Sequence, residues 1–259
     1  MGNKAKDHPL SILITAGGTI EDIDTVRGIS NHASGRLGSL IADEFSQSGA
    51  NVTFLCGESS LRPSHEPHRQ IVIRNTAQLA TCLEQLLRES RFDCVIHSMA
   101  VSDFSPHTVI GIDDFARCIE KELSKACLSQ EKIAQAVQSA ISKSVQRPAE
   151  KKISSKSSHL MLILKQNSKA ISMIKNIQPN TMLVGFKLLS GADEPELVSA
   201  GAALLEQTGS DLVLANDISD ISGESHKGVL LDACGIVCRA DTKSEIAKMI
   251  FSQICERLE

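Results

Sequence analysis

Short apolar runs of strand length alternate with longer amphipathic segments through most of this chain. That alternation restricts it to a sheet with helices packed on its faces. The strand-like runs are LSILIT, NVTFLC, QIVIR, DCVIHS, LMLILK, MLVGFK, DLVLAN and GVLLD. Helical periodicity falls over Gly35 to Ser48, Thr76 to Glu89, Ser168 to Lys175, Glu194 to Gln207 and Lys243 to Arg257. This order predicts an α/β class: a Rossmann-like three-layer sandwich with a mostly parallel sheet, whose ligands gather at the carboxyl ends of the strands. A chain of 259 residues has ample core for this. We read 1–259 as a single domain with 105–158 as an insertion.

The stretch from Ser105 to Lys152 breaks the rhythm. It has mixed helical periodicity and no clear strand, and it is too long for a plain loop in a compact domain. Two readings stand together: a helical insertion that packs on the body or on another subunit, and a flap that closes over a site. Its end, SKSVQRPAEKKISSKSS, is polar and poorly periodic, which predicts mobility.

Charge and composition narrow the function classes. A formal net charge of −4 with both signs spread along the chain gives no nucleic-acid surface and no basic membrane face. No apolar run approaches the roughly 18 to 20 residues of a membrane span, and the polar start MGNKAKDHP lacks the apolar core of a signal peptide, so a cytoplasmic location is expected. Tryptophan and tyrosine are absent, which argues against an aromatic platform for stacked bases. The eight cysteines include no CxxC pair and read as reduced, mostly buried thiols.

The first strand runs into TAGGT, and the chain then spends Thr15 to Gly38 on mostly polar and small residues. Strand-to-helix loops usually take about 2 to 6 residues, so a bound ligand is expected here. Gly17 and Gly18 let the backbone turn its N–H groups toward an anion, and the Thr15 and Thr19 hydroxyls add donors. A tight turn explains GGT equally well. There is no GxGxxG and no Walker lysine, so an ordinary dinucleotide or P-loop site is rejected. Further on, Ser34 is the expected N-cap of the first helix, preceded by Arg27, Ser30, Asn31 and His32. A guanidinium and an amide before a helix start suit a phosphate, or an acyl oxygen gaining charge, although Asn31 and His32 can serve simply as loop caps.

Four later stretches join these. IHSMAVSDFSP ends a strand in small residues and Asp103, which can take a ligand hydroxyl, orient a metal or initiate a turn. Lys151, Lys152 and Lys156 in KKISSKSSHL can neutralise a triphosphate when the segment closes, or form a solvated charge run. Asn167 and Ser168 precede another helix, and Phe186 stands at a strand end as a platform or as plain core. Asn216 and Asp217 end DLVLAND at the same edge, to hold loops together or to bind ligand.

Read in order from Leu10 to Glu259, ITAGGT, IDTVRGISNHASGRLG, IHSMAVSDFSP, KKISS, LVGFKLL and DLVLANDIS resemble the phosphopantothenate-cysteine ligase family. The resemblance implies that the carboxylate of 4′-phosphopantothenate attacks a nucleotide α-phosphate, and that the amine of L-cysteine then attacks the acyl-nucleotidylate. It implies Mg²⁺ and CTP, ATP being the alternative, a homodimer, and the stand-alone form found in streptococci and enterococci, with no flavin-dependent decarboxylase domain ahead of it. By motif match, Asn31 supports conversion of the acyl-nucleotidylate, and Lys152 is the flap lysine that neutralises phosphates. Arg27 reaches the phosphopantothenate phosphate of the neighbouring subunit. Gly17, Gly18, Thr19, Ala100 and Asp103 fall along the substrate site. His97, Ser98, Met99, Asp103, Lys152, Asn167, Ser168, Lys169, Ala170, Ile171 and Phe186 fall at the nucleotide site, and no residue is assigned to metal.

The chain departs from the family at Ser154 and Ser155, which replace lysines, and at Met99, where the fused enzymes carry alanine. Lysines are also missing around Leu204 and Thr208. An NAD(P)-binding oxidoreductase and a non-catalytic binding homologue are the competing classes; neither class requires the triphosphate chemistry that the motifs imply.

Overall fold

The computed structural model describes residues 8–124, 130–145 and 158–258. The chain opens with β1 (Ser11–Ala16), then a short hairpin of β2 (Ile20–Asp22) and β3 (Gly28–Ser30). Helix α1 (Arg36–Gln47) leads to β4 (Asn51–Gly57) and β5 (Arg69–Ile73), and α2 (Thr76–Glu89) leads to β6 (Cys94–His97). Next come β7 (Phe104–Gly111), α3 (Ile112–Leu123), α4 (Gln130–Val145) and β8 (Leu160–Gln166). They are followed by α5 (Ile171–Ile177), β9 (Met182–Leu189), α6 (Glu194–Thr208) and β10 (Leu212–Asp217). A 3-10 turn, Ile218–Asp220, precedes β11 (Ile221–Ser222), β12 (Ser225–Asp232) and β13 (Gly235–Thr242), and α7 (Lys243–Leu258) closes the described chain.

Two compact units result. Of the described residues, the first comprises those within Met1–Thr19, Asn31–Val101 and Lys169–Glu259; the second comprises those within Ile20–Ser30 and Ser102–Ser168. The first unit holds a sheet whose parallel strands run β5-β4-β1-β6-β9-β10, continued by antiparallel β12 with β11 and β13 beside it. Strand order therefore reverses between β1 and β6, the switch point outside which open α/β sheets hold their ligands.

Period-two alternation sorts β1 between two cores. Ile12, Ile14 and Ala16 join Ile41, Ala42 and Phe45 of α1 and Ile246, Ile250 and Ile254 of α7 on one face. Leu13 joins Leu79, Leu83 and Leu86 of α2 and Ile174 of α5 on the other. Phe45 and Phe251 meet edge to face, with ring centroids 5.0 Å apart, and so fasten α1 to α7. A third cluster seats Leu197 and Leu205 of α6 against Val213 and Ala215 of β10. The expected three-layer α/β class is thus observed. No helix among the described residues is long and apolar enough to cross a membrane.

Gln178, which caps the end of α5, ties α2 to the strand that follows it. Its side-chain amide donates to the carbonyls of Leu87 and Ser90, both at 2.6 Å, and its oxygen accepts the Phe92 N–H at 3.1 Å. One buried side chain thereby satisfies orphan groups at a helix end.

The second unit corrects three expectations. LMLILK forms β8, which lies in a separate antiparallel ribbon with β7 rather than in the main sheet. The 105–152 stretch, read as strandless, contains most of β7. Pro106 cannot donate to a ladder, and the register shifts between Pro106 and Thr108, which masks the strand pattern in the sequence. The long polar loop after β1 folds in part into the β2-β3 hairpin, which belongs to this unit. α3 and α4 pack on each other and on β7. The unit thus gathers 20–30 together with 102–168, where the sequence suggested an insertion of 105–158 alone.

Candidate functional site

The site grows from the carboxyl ends of β1 and β6 in the first unit. Ser98 N–H donates to Thr15 O at 3.1 Å, Ala100 N–H to Gly17 O at 2.8 Å, and Thr19 N–H to Ala100 O at 3.3 Å. Ser98 Oγ also donates to Thr15 O, at 2.7 Å. These bonds carry the parallel pairing past the strand ends as far as a bridge between Gly18 and Ala100, so the two loops are locked to one another. Exposed Asn31 sits beside them, its Nδ2 donating to Ala100 O at 3.4 Å.

Helix α1 begins against this floor. The expected Ser34 N-cap is corrected: Gly35 holds the cap position at φ 74°, a left-handed conformation, and no side chain caps the helix. Ser34 Oγ reaches only the Arg36 N–H, at 3.4 Å. A Cβ on Gly38 would lie 2.6 Å from Ala16 Cβ and 2.8 Å from Ser98 Oγ, so only glycine lets the helix come this close to the strand. The Leu37 and Gly38 amides have no carbonyl a turn back within the helix.

A cavity of about 250 Å³ opens over these parts. Gly17 and Ser98–Ala100 form one wall and the α1 start, with His32, forms another; Phe186, Leu188 and Asn216 come from the ends of β9 and β10, and Ile221, His226 and Lys243 complete it. Of the site residues expected from sequence, this brings together Gly17, Ser98, Met99, Ala100 and Phe186, with Gly18, Thr19 and Asn31 adjoining. Phe186 belongs both to the lining and to the rim of the core against α1 and α7, so the two readings of it coexist.

Several other expected residues are not among the lining residues of this cavity. His97 does not line the cavity. It is buried, with Nδ1 2.9 Å from Thr15 Oγ1. Thr15 Oγ1 also accepts the Met99 N–H at 3.3 Å, so one hydroxyl joins the His97 ring to the backbone after β6. Burial pushes the His97 pKa down to about 4. Lys169, Ala170 and Ile171 stand at the start of α5, where Ala170 and Ile171 pack with the α2 core rather than line the cavity.

In the second unit, Asn167 is occupied structurally. Its N–H donates to Asp103 O at 2.8 Å, its Nδ2 to Ser102 O at 3.0 Å, and its Oδ1 accepts Ser105 Oγ at 2.9 Å. Ser168 follows it at the exposed end of that unit. The half-exposed Arg27 guanidinium lies 3.2 Å from buried Asp24, which also accepts the Val26 and Arg27 N–H groups. Lys151, Lys152, Ser154, Ser155 and Lys156 lie outside the described residues.

At the far end of the strand edge, Asp217 serves the scaffold. Its carboxylate accepts the Ala192 N–H at 2.8 Å and both the N–H and hydroxyl of Ser219, and these bonds hold its pKa well below the usual carboxylate range. Asn216 alone of that pair faces the cavity.

Sequence reasoning missed His226, Lys243 and Arg36. His226 belongs to a strand that pairs antiparallel at the sheet edge, where no motif marks it; the one available signal was a histidine at an inward position of SHKGVLLD. It is 6% exposed. Burial, and then the Lys243 charge, lower its pKa to about 4. Lys243 is itself buried and donates its Nζ to Gly223 O.

Comparison with known proteins gives these features a setting. A model of the DNA/pantothenate metabolism flavoprotein C-terminal domain matches residues 8–113 and 117–258. The coenzyme A biosynthesis bifunctional protein CoaBC of Thermococcus kodakarensis is 31% identical over 98% of this chain and 52% of its own length. That of Methanocaldococcus jannaschii is 28% identical over 85% of this chain and 43% of its own length, so the chain spans about half the length of such curated relatives or less. Among solved structures, the DNA/pantothenate metabolism flavoprotein from Streptococcus pneumoniae superposes with a TM-score of 0.77 at 30% identity, covering 96% of this chain and 99% of that one. A crystal structure of the C-terminal domain of a CoaBC protein superposes at 0.65 with 20% identity, covering 96% and 95%, and shares the fold.

Proposed function

The chain belongs to the family of the DNA/pantothenate metabolism flavoprotein C-terminal domain, to which its six ordered motifs pointed, and we propose that it is a cytoplasmic, homodimeric ligase joining 4′-phosphopantothenate to L-cysteine at the expense of CTP. The observation that carries this reading is the cavity at the β1/β6 switch point, where two interlocked glycine- and alanine-bearing loops face an uncapped helix start. Such a site offers backbone donors to phosphate and to a developing oxyanion without any protein nucleophile.

In the first step a carboxylate oxygen of phosphopantothenate attacks the α-phosphorus. The bond from that phosphorus to the bridging oxygen breaks, and pyrophosphate leaves. In the second step the cysteine nitrogen attacks the acyl carbon, the carbon–oxygen bond to phosphate breaks, CMP leaves, and the amine proton passes to solvent. Asn31, poised over Ala100 O, is assigned to the acyl oxygen in the second step. Lys152 is assigned to the phosphates and Arg27 to the phosphopantothenate phosphate of a neighbouring subunit, both by family match. Positioning and charge neutralisation carry the rate. Mg²⁺ is proposed to enter with the nucleotide, as part of that substrate.

The test is pyrophosphate release from CTP and ATP in parallel, with phosphopantothenate and Mg²⁺, with and without cysteine. A burst without cysteine and steady turnover with it are expected, CTP being faster. Faster ATP turnover would reassign the nucleotide, and no release from either in folded protein would overturn the ligase reading.

A further inference from the structure

Part of the cavity lining carries hydrogen-bonding capacity that the described residues leave unused. His226 is 6% exposed and lines the cavity, yet among the described residues neither of its ring nitrogens has a hydrogen-bond partner. A buried polar group in that state costs stability unless something completes it. Asn216, 5% exposed, lines the same cavity, and no side-chain hydrogen bond ties it to another described residue. Phe186 adds an aromatic face.

The chemistry of this set selects its occupant. A neutral imidazole offers one donor and one acceptor, and a primary amide offers both kinds. Phosphate takes donors only, and is better served by the α1 start and Arg36 on another wall of the same cavity. A metal ion at His226 would meet the Lys243 charge that already depresses its basicity. A planar heterocycle with alternating donors and acceptors along its edge satisfies the histidine, the amide and the aromatic face together. Resting on the nucleotide-dependent reading above, we propose that His226 is the specificity-determining residue for the nucleobase: it hydrogen-bonds the base edge beside Asn216 and Phe186 while the phosphates point to the start of α1.

The experiment uses the full chain with phosphopantothenate and cysteine saturating, and compares CTP, UTP, ATP and GTP in the wild type, His226→Ala and His226→Asn. Losing a hydrogen bond that the site was built to make is expected to raise KM for the preferred nucleotide about 10- to 100-fold with kcat held within about threefold. The preference among bases should shrink by the same factor, and His226→Asn should recover part of it. Inhibition by inorganic tripolyphosphate, which has no base, should not change. A fall in kcat at constant KM, or unchanged base preference, would overturn the proposal. Should the variants fail to fold, the His226 ring resonances of the wild type decide: they should shift with cytidine or adenosine and not with tripolyphosphate, and the reverse pattern refutes the assignment. Absence of pyrophosphate from all four nucleotides in the wild type would instead defeat the ligase reading, a separate failure.

Discussion

Burial of His97 in its neutral form makes a quantitative demand on stability. Its folded pKa of about 4 lies below the ordinary 6.5. The unfolded chain therefore takes up a proton at this residue as pH falls through 6.5, while the folded chain refuses it until about 4. The contribution is full above pH 6.5 and shrinks by about 1.4 kcal/mol per unit below it. Worked through both binding curves, the loss at this one residue between pH 7 and pH 5 is about 2 kcal/mol. His226, lowered in the same direction, erodes stability in the same window, so the wild-type slope is a sum and the variant must isolate one part. His97→Asn keeps an acceptor near Thr15 Oγ1 and removes the titration. Urea unfolding followed by far-ultraviolet circular dichroism suits a chain without tryptophan. The wild type should lose about 2 kcal/mol more than the variant on going from pH 7 to pH 5. Equal losses in the two proteins would refute the assignment of a buried neutral imidazole.

Three further outcomes are expected. Gly38→Ala drives a methyl group into Ala16 and Ser98 and should cost about 1 to 3 kcal/mol by urea unfolding, with nucleotide affinity falling in parallel. Gln178→Leu strands the Leu87 and Ser90 carbonyls and the Phe92 N–H and should cost about 2 to 4 kcal/mol, read in the same assay. Asn31→Asp should slow cysteine-dependent turnover more than the burst of pyrophosphate formed without cysteine; equal loss of both would remove Asn31 from the second step.

The parallel half of the fold was legible because its signal is local. Ile12, Leu13 and Ile14 sort themselves between two faces by strand period alone, and α1, α2, α6 and α7 carry their apolar stripes in sequence. The second unit was less so. LMLILK has strand propensity, but nothing local states that its partner is the proline-bearing β7 rather than a central strand, since pairing depends on register across the fold. The site divides the same way. Loops that leave β1 and β6 announce themselves through glycine, alanine and serine, because chain segments that approach one another this closely tolerate little else. His226 and Lys243 arrive from the antiparallel edge and the last helix, and only tertiary packing brings them to the cavity. His97 shows the converse: a histidine at a strand end looks the same in sequence whether its ring turns to the cavity or to Thr15.

The uncapped start of α1 has a thermodynamic consequence. A helix whose cap is a left-handed glycine with no side-chain acceptor forgoes roughly the few tenths of a kcal/mol by which a serine or aspartate cap exceeds glycine. An anion seated there returns that amount, so fraying of the first turn and release of the ligand become two descriptions of one equilibrium. Amide exchange at Leu37, Gly38 and Ser39 should slow in proportion to occupancy, while Phe45, deep in the same helix, exchanges at a rate set by global unfolding and reports only the overall gain in stability.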